Sequence, residues 1–391
     1  MNRPLRIYKL PVLNCRTGLK ARILAGDFAI EACGFGAEAL RVGELVFSTS
    51  MTGYPESLTD PSYKGQILVY THPMIGNYGV PRVGVIGDGV SEEMESTLIQ
   101  VEGFIVAEVT RHSHGRAFWS LDEWLRLQGV PGAYRVDTRW LVKTIRDGGA
   151  REAVIAVYPE WMRGPSWKEL YEALKEWGSY SAKNYVMLVS PERPEAIRVV
   201  DKPRARVSLL DCGVKHGIVR ELVMRGLEVV RMPCSAKASE MLEGFDGVVI
   251  GSGPGNPAVL RSASLSAAEA ALSGKPTLGV CLGMQLIALG VGGRTYKLKY
   301  GHRGVNKPVI DLENGRGYIT THNHGFAVDP NSIVEAGFKP WFVSPDDGVL
   351  EGMKHKTLPA LAVQFHPEGG PGPTDASWIF DYYVKLLERR S

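Results

Sequence analysis

The second half of this chain alternates short apolar runs, most of them ending at Gly or Pro, with longer stretches of helical pattern, and that alternation restricts its fold more than any other feature. "RVSLLDCG", "LEVVRMP", "DGVVIGSGPGNP" and "PTLGV" read as buried strands; "KHGIVRELVMRG", "SAKASEMLEGF", "SASLSAAEAALSG" and the residues after Cys281 read as helices. Strands joined through helices of this length pair in parallel with right-handed crossovers, so the expectation is an α/β fold with an open, mostly parallel sheet flanked by helices. "GRGYITTHNHGFAVD" and "PALAVQFHPE" add further strands, and "DASWIFDYYVKLLERR" closes the chain with a helix. The uncharged run from Pro276 to Gly293 approaches the length of a membrane span, but its Pro, Gln and Gly residues make it a strand, a turn and a helix instead.

The first half has a different texture. Gly- and Thr-rich strand candidates ("ELVFSTSMTGY", "QILVYTHPMIGNYG") precede helical stretches around "DTRWLVKTIRDGGA" and "SWKELYEALKEWG", which implies a separate α+β domain. Between the halves, "SPERPEAIRVVDKPRAR" carries three prolines and many charges without periodicity, a linker composition. The expected division is an N-terminal domain over 1–195, a linker over 196–205 and a C-terminal domain over 206–391. At 391 residues and 44% hydrophobic content, each part is long enough for its own core.

The net charge of +3 is dispersed rather than gathered into basic blocks, so no nucleic-acid partner is expected. Five cysteines form no C-x-x-C pair, and their odd number argues against a closed disulfide framework; a reducing cytoplasm is expected. The opening "MNRPLRIYKLPVLNCRTGLK" is basic but interrupted by Pro4, Lys9 and Pro11, and reads as no signal peptide. Scarce Asn and Gln hint at a hot-growing source.

Three strand-end features carry chemistry. Gly279-x-Cys281-x-Gly283 has the form of a nucleophile elbow, in which a tight strand-to-helix turn exposes a side chain at the positive end of the following helix. On this pattern alone Cys281 reads as a nucleophile or as a buried core thiol. His366 in "QFHPE" lies at the end of an apolar run with Glu368 two residues on, placed to fix the imidazole tautomer. The loop "GSGPGNP" follows another buried strand and can aim backbone N–H groups at developing negative charge, or can be an ordinary Gly/Pro turn; it has neither a P-loop ending nor a dinucleotide fingerprint. His322 and His324 alternate on one strand face, but two imidazoles without further nearby ligands are a poor metal site, so no metal is expected.

The GPG loop, G-x-C-x-G-x-Q and HPE together resemble class I (triad-type) glutamine amidotransferases over 206–391. "STSMTGYPESLTDPSYKGQI", "VDTRWLVKTIRDGGA", "NHGFAVD" and "HPEGGPGPTDASWIFDYY" extend the resemblance, from about residue 24 onward, to the family of small, glutaminase subunits of carbamoyl phosphate synthetase. The resemblance implies a flavodoxin-like C-terminal domain and hydrolysis of glutamine to glutamate and ammonia through a cysteine thioester. It implies Cys281 as nucleophile, His366 as acid/base, Glu368 as its orienting partner, and an oxyanion hole from the N–H groups of Gly253 and Leu282. Glutamine contacts carry over to Ser62, Gly253, Gly255, Leu282, Gln285, Asn323, Gly325 and Phe326. Met284 and Asn256 stand where the family usually has His and Asp. The family delivers ammonia to a large partner subunit that uses ATP, Mg and bicarbonate to make carbamoyl phosphate for arginine and pyrimidine biosynthesis, so no cofactor is expected in this chain. A heterodimer with that subunit is the expected assembly, with no membrane partner. The alternatives are the glutaminase component of another amidotransferase, such as anthranilate synthase, or a non-catalytic docking protein on the same fold.

Overall fold

The protein is described here by a computed structural model covering residues 5–9, 14–86 and 89–389. Two compact units divide the chain: residues 1–83 with 98–181, and residues 84–97 with 182–391.

In the first unit the strands Leu19–Ala25, Phe28–Gly36, Leu40–Ser48, Gln66–Tyr70, Gly103–Ile105, Pro131–Tyr134 and Arg151–Pro159 join in one sheet. Leu19–Ala25 pairs with both Phe28–Gly36 and Arg151–Pro159, which closes these strands on themselves. The helices Leu121–Leu127 and Trp167–Trp177 begin at capping boxes, Ser120 with Glu123 and Ser166 with Glu169, while Asp137 caps Thr138–Gly148. These serines and acids at three-residue spacing are why the helices start where they do. The opening segment contributes structure of its own, since Arg6–Lys9 adds a parallel strand beside Phe28–Gly36. Residues 1–4 and 10–13 of that segment lie outside the described residues.

The second unit holds a ten-stranded sheet. Five strands pair in parallel, in the spatial order Leu227–Pro233, Ala205–Asp211, Gly247–Ile250, Thr277–Val280, Ala360–Val363. Numbered along the chain this is 2-1-3-4-5, the flavodoxin-like order whose ligand crevice opens at the carboxyl ends of the strands. The Gly247–Ile250, Thr277–Val280 and Ala360–Val363 strands are buried throughout, as a sheet covered on both faces requires. The connecting helices include His216–Val223, Arg261–Leu272 and Leu282–Gly290, and Trp378–Glu388 ends the described chain. Among the described residues no helix is long and apolar enough to cross a membrane.

Four expectations need correction. The segment 84–97, expected in the N-terminal domain, packs in the second unit, as do residues 182–195. There Glu95 accepts the Gly217 N–H at 2.9 Å and pairs with Arg220 at 3.1 Å. The expected linker is partly structured, because Glu195–Ile197 pairs antiparallel with Leu227–Pro233. The sheet continues antiparallel through Leu350–His355, Phe338–Val343 and the long Thr295–Asp311, strands absent from the sequence reading. Finally, Cys15 is bonded to Cys33 and Cys212 to Cys234, leaving Cys281 as the free cysteine. Parallel register sets Asp211 opposite Pro233, so the next residues, Cys212 and Cys234, meet. An odd count of five excludes only a framework that uses every cysteine; intracellular disulfides are well represented in hyperthermophiles.

Candidate active site

Cys281 follows the Thr277–Val280 strand and caps the Leu282–Gly290 helix with φ 54° and ψ −107°. A non-glycine residue in this region costs about 1–3 kcal/mol, a strain sustained only where the surroundings enforce it. The surroundings are the two flanking glycines. A Cβ on Gly283 would come 2.0 Å from the carbonyl oxygen of Ile250, and one on Gly279 would come 2.9 Å from the side chains of Ala362 and Ile287. Glycine is needed here for close approach, which lets the helix start against the neighbouring strands and turns the sulfur back toward the sheet ends.

Cys281 is only 2% exposed, yet polar groups surround its sulfur. Gln364 Nε2 approaches Sγ at 3.6 Å and the thiol faces the Asn323 carbonyl at 3.8 Å. His366 follows the Ala360–Val363 strand, is bridged to Thr321, and donates its N–H to the Thr321 carbonyl at 2.8 Å. Its Nδ1 meets Glu368 Oε1 at 2.7 Å. The ring's other nitrogen, Nε2, is buried and closes no hydrogen bond. That nitrogen is therefore available to a substrate.

Lys215 completes the cluster, with its Nζ 3.0 Å from Glu368 Oε1 and both side chains buried. It lies in the loop after Ala205–Asp211, so three strand ends converge on Glu368, His366 and Cys281. Burial opposes charge on Glu368, but the Lys215 ammonium and then His366 hold its carboxyl well below the usual range. Burial likewise opposes charge on His366, yet the Glu368 carboxylate outweighs it and raises the imidazole to about 10. At neutral pH His366 is thus an imidazolium, a proton donor beside the sulfur.

The glycine loop follows Gly247–Ile250. A Cβ on Gly253 would fall 2.1 Å from the Cys212 carbonyl oxygen, and Gly255 has φ 93°, so neither position tolerates a side chain. Leu282 opens its helix, where N–H groups have no intrahelical acceptor. Gln285, one turn further, donates to the Phe326 carbonyl at 2.9 Å and to Gln364 Oε1 at 3.0 Å, tying the helix to the strand Gly317–Val328 that bears Asn323, Gly325 and Phe326. The second unit therefore gathers Cys281, His366, Glu368, Leu282, Gln285 and Asn323. Ser62 belongs to the first unit, in the turn Pro61–Tyr63, where Asp60 accepts its N–H at 2.8 Å and its hydroxyl is buried without a hydrogen-bond partner. Met284 is fully buried in the core, and the Asn256 side chain accepts the Ala258 N–H at 3.1 Å, a capping role that Asp would also fill. Lys215 and Gln364 escaped sequence reading. Gln364 had one available signal, its place two residues before His366 on the same run.

The premise that His322 and His324 lack further ligands is overturned. His302 and Glu351 join them, all four buried, with one potential ligand atom of each within 4.8 Å of the others. Burial, then neighbouring imidazoles, holds His322 well below the usual histidine value; burial lowers His324 to about 3 and raises Glu351 to about 7.

A thiol on an elbow, an imidazole anchored by a carboxylate, and a glycine loop meet at adjacent ends of a 2-1-3-4-5 sheet. The family model for "Glutamine amidotransferase class-I" matches residues 208–386, and that for "Carbamoyl-phosphate synthase small chain, CPSase domain" matches 23–155. The carbamoyl phosphate synthase small chain of Pyrococcus furiosus is 47% identical over 370 residues, covering 94% of this chain and 97% of the relative. Those of Sulfurisphaera tokodaii and Pyrobaculum aerophilum are 44% and 46% identical, over 97% and 90% of this chain and 100% and 96% of theirs. The chain belongs to the carbamoyl phosphate synthase small-chain family. A small chain implies a large-chain partner.

Proposed function

We propose that this chain is the glutamine-hydrolysing subunit of a carbamoyl phosphate synthase and works through Cys281, His366 and Glu368. The observation that carries the reading is the strained Cys281 elbow beside an imidazolium held by a buried Glu368–Lys215 pair. The Cys281 sulfur, its proton already held on His366, attacks as the thiolate the side-chain amide carbon of L-glutamine, and the oxygen that gains charge is met by the N–H groups of Gly253 and Leu282. His366 gives its proton to the amide nitrogen, the C–N bond breaks, ammonia leaves, and a γ-glutamyl thioester remains on Cys281. The neutral imidazole then takes a proton from water, which displaces the sulfur and yields glutamate. Glu368 does not exchange protons in this sequence; it fixes the ring and balances its charge.

Gly255, Asn323, Gly325 and Phe326 supply the glutamine contacts, and Gln285 positions the Phe326 carbonyl. Ammonia passes to the large chain, which binds ATP, Mg and bicarbonate; this chain needs no cofactor of its own for hydrolysis, and it works in the cytoplasm as one half of a heterodimer. The small-chain domain matched over 23–155 tells against an anthranilate synthase component. The test is Cys281→Ser in the two-chain complex. Glutamine-dependent carbamoyl phosphate synthesis is lost while ammonia-dependent synthesis persists; a variant that still hydrolyses glutamine refutes the assignment.

A further inference from the structure

Behind the strand that carries Asn323 lies a second cluster with no part in the hydrolysis described above. His302 on Thr295–Asp311 pairs in register with His324, His322 shares the face of His324 two residues earlier, and Glu351 comes from Leu350–His355. The outward nitrogen of each ring already has an acceptor. His302 Nε2 meets the Asp347 carboxylate at 2.8 Å. His324 Nδ1 meets the Phe326 carbonyl oxygen at 3.0 Å. His322 Nε2 meets Thr320 Oγ1 at 2.8 Å, and that hydroxyl spends its own proton on the Lys307 carbonyl at 2.9 Å.

Each outward nitrogen therefore carries the ring proton, and each inward nitrogen presents a lone pair. His302 Nδ1, His322 Nδ1, His324 Nε2 and the Glu351 carboxylate face one another with contacts of 3.0, 3.3, 3.5 and 3.6 Å. Glu351 Oε2 is buried without a hydrogen-bond partner. A single carboxyl proton can serve one of these contacts and leaves the others lone pair against lone pair. Ligands about 2.0–2.1 Å from a tetrahedral zinc ion stand about 3.3 Å from each other, close to the separations found.

We propose that His302, His322, His324 and Glu351 bind one zinc-class divalent transition-metal ion in a closed, four-coordinate structural site. Three imidazoles and one carboxylate suit zinc or cobalt, and hard cations such as Mg or Ca prefer all-oxygen ligands. The hydrogen bonds from the rings to Asp347, Thr320 and Phe326 are the outer contacts that orient metal-bound histidines. A dication is neutralised by Glu351 and Asp347 together, so the buried charge balances. Burial of all four ligands leaves no open coordination position, which separates this site from a hydrolytic one. Its effect on the active site is mechanical: the Phe326 carbonyl accepts from both His324 and Gln285, so the metal pins the strand on which Asn323 and Phe326 sit.

The test uses the full-length protein, stripped with a strong chelator and re-equilibrated with zinc or cobalt alone. About one equivalent of zinc is expected to survive gel filtration, with a raised Tm, and cobalt should give the intense visible bands of a tetrahedral N/O site. Retention should persist in Cys281→Ser, which excludes thiolate binding, and fall at least tenfold in Glu351→Gln and His322→Gln. Folded wild-type protein that retains no zinc and gives no tetrahedral cobalt spectrum overturns the proposal, and this arm needs no variant to fold. Retention unchanged by both substitutions overturns it equally. None of these readouts depends on glutamine hydrolysis.

Discussion

Gly283→Ala puts the architecture of the elbow under direct strain. The added Cβ would lie 2.0 Å from the Ile250 carbonyl oxygen, where real contacts are essentially never under 3.0 Å. The obstacle is backbone of a buried central strand, so relief must come from the helix, whose first turn has to back away by about 1 Å. That turn carries Leu282 and sets the direction of Cys281. A misplacement of about 1 Å in a reacting group lowers rate by roughly a hundredfold, and overpacking of this kind costs about 1–3 kcal/mol of stability. Steady-state glutaminase assays and chemical denaturation of the same preparation read both effects, with kcat falling far more than the stability loss explains. Gly18→Ala, at a left-handed turn with open space around it, controls for ordinary glycine loss and should leave kcat unchanged. A Gly283→Ala enzyme within twofold of wild-type kcat would refute the view that helix-to-strand closeness shapes this site.

Three further outcomes follow from the same geometry. His366 is raised from its ordinary value to about 10, so the folded state holds a proton that the unfolded chain releases. That stabilisation is complete below about pH 6.5 and is lost as pH climbs toward 10, with a slope of up to about 1.4 kcal/mol per pH unit that His366→Gln flattens in denaturant titrations. Glu368 works in the opposite sense, contributing above the usual carboxylate range and losing its contribution as acid protonates it. Lys215→Met strands the buried Glu368 with one partner in place of two, and should cost about 3–5 kcal/mol in urea unfolding together with a fall in kcat; a loss under about 1 kcal/mol counts against the pairing. Reducing the disulfides, whose partners are 18 and 22 residues apart, should remove about 3 kcal/mol each and lower Tm in calorimetry, with Cys33→Ser and Cys212→Ser reproducing the halves.

The residues proposed for catalysis could be picked out because each sits in a local signature: a thiol between glycines after an apolar run, and a His-x-Glu at another strand's end. Three of the five parallel strands were legible for a related reason, since full burial writes itself as uninterrupted apolar runs. Lys215 left no such trace, because its partner Glu368 is 153 residues away and only the shared carboxyl edge of the sheet unites them. The strand Thr295–Asp311 contains Gly301, Gly304 and Pro308, which interrupt a strand pattern, and register shifts at Lys297/His302 and Gly304/Lys307 accommodate the two glycines. Missing that strand meant missing His302, and with it the completion of the His322–His324 pair. The Cys212–Cys234 bond, by contrast, follows from strands that were anticipated: two parallel neighbours in register end one residue before each cysteine.

The central claim is that Cys281 carries the glutamyl group. Acid quenching of the protein during turnover of isotopically labelled glutamine, followed by peptide mapping, tests it most directly. The account predicts label on the Cys281 peptide, lost on treatment with hydroxylamine. Sustained glutamine hydrolysis with no covalent label, or label on another residue, would contradict it.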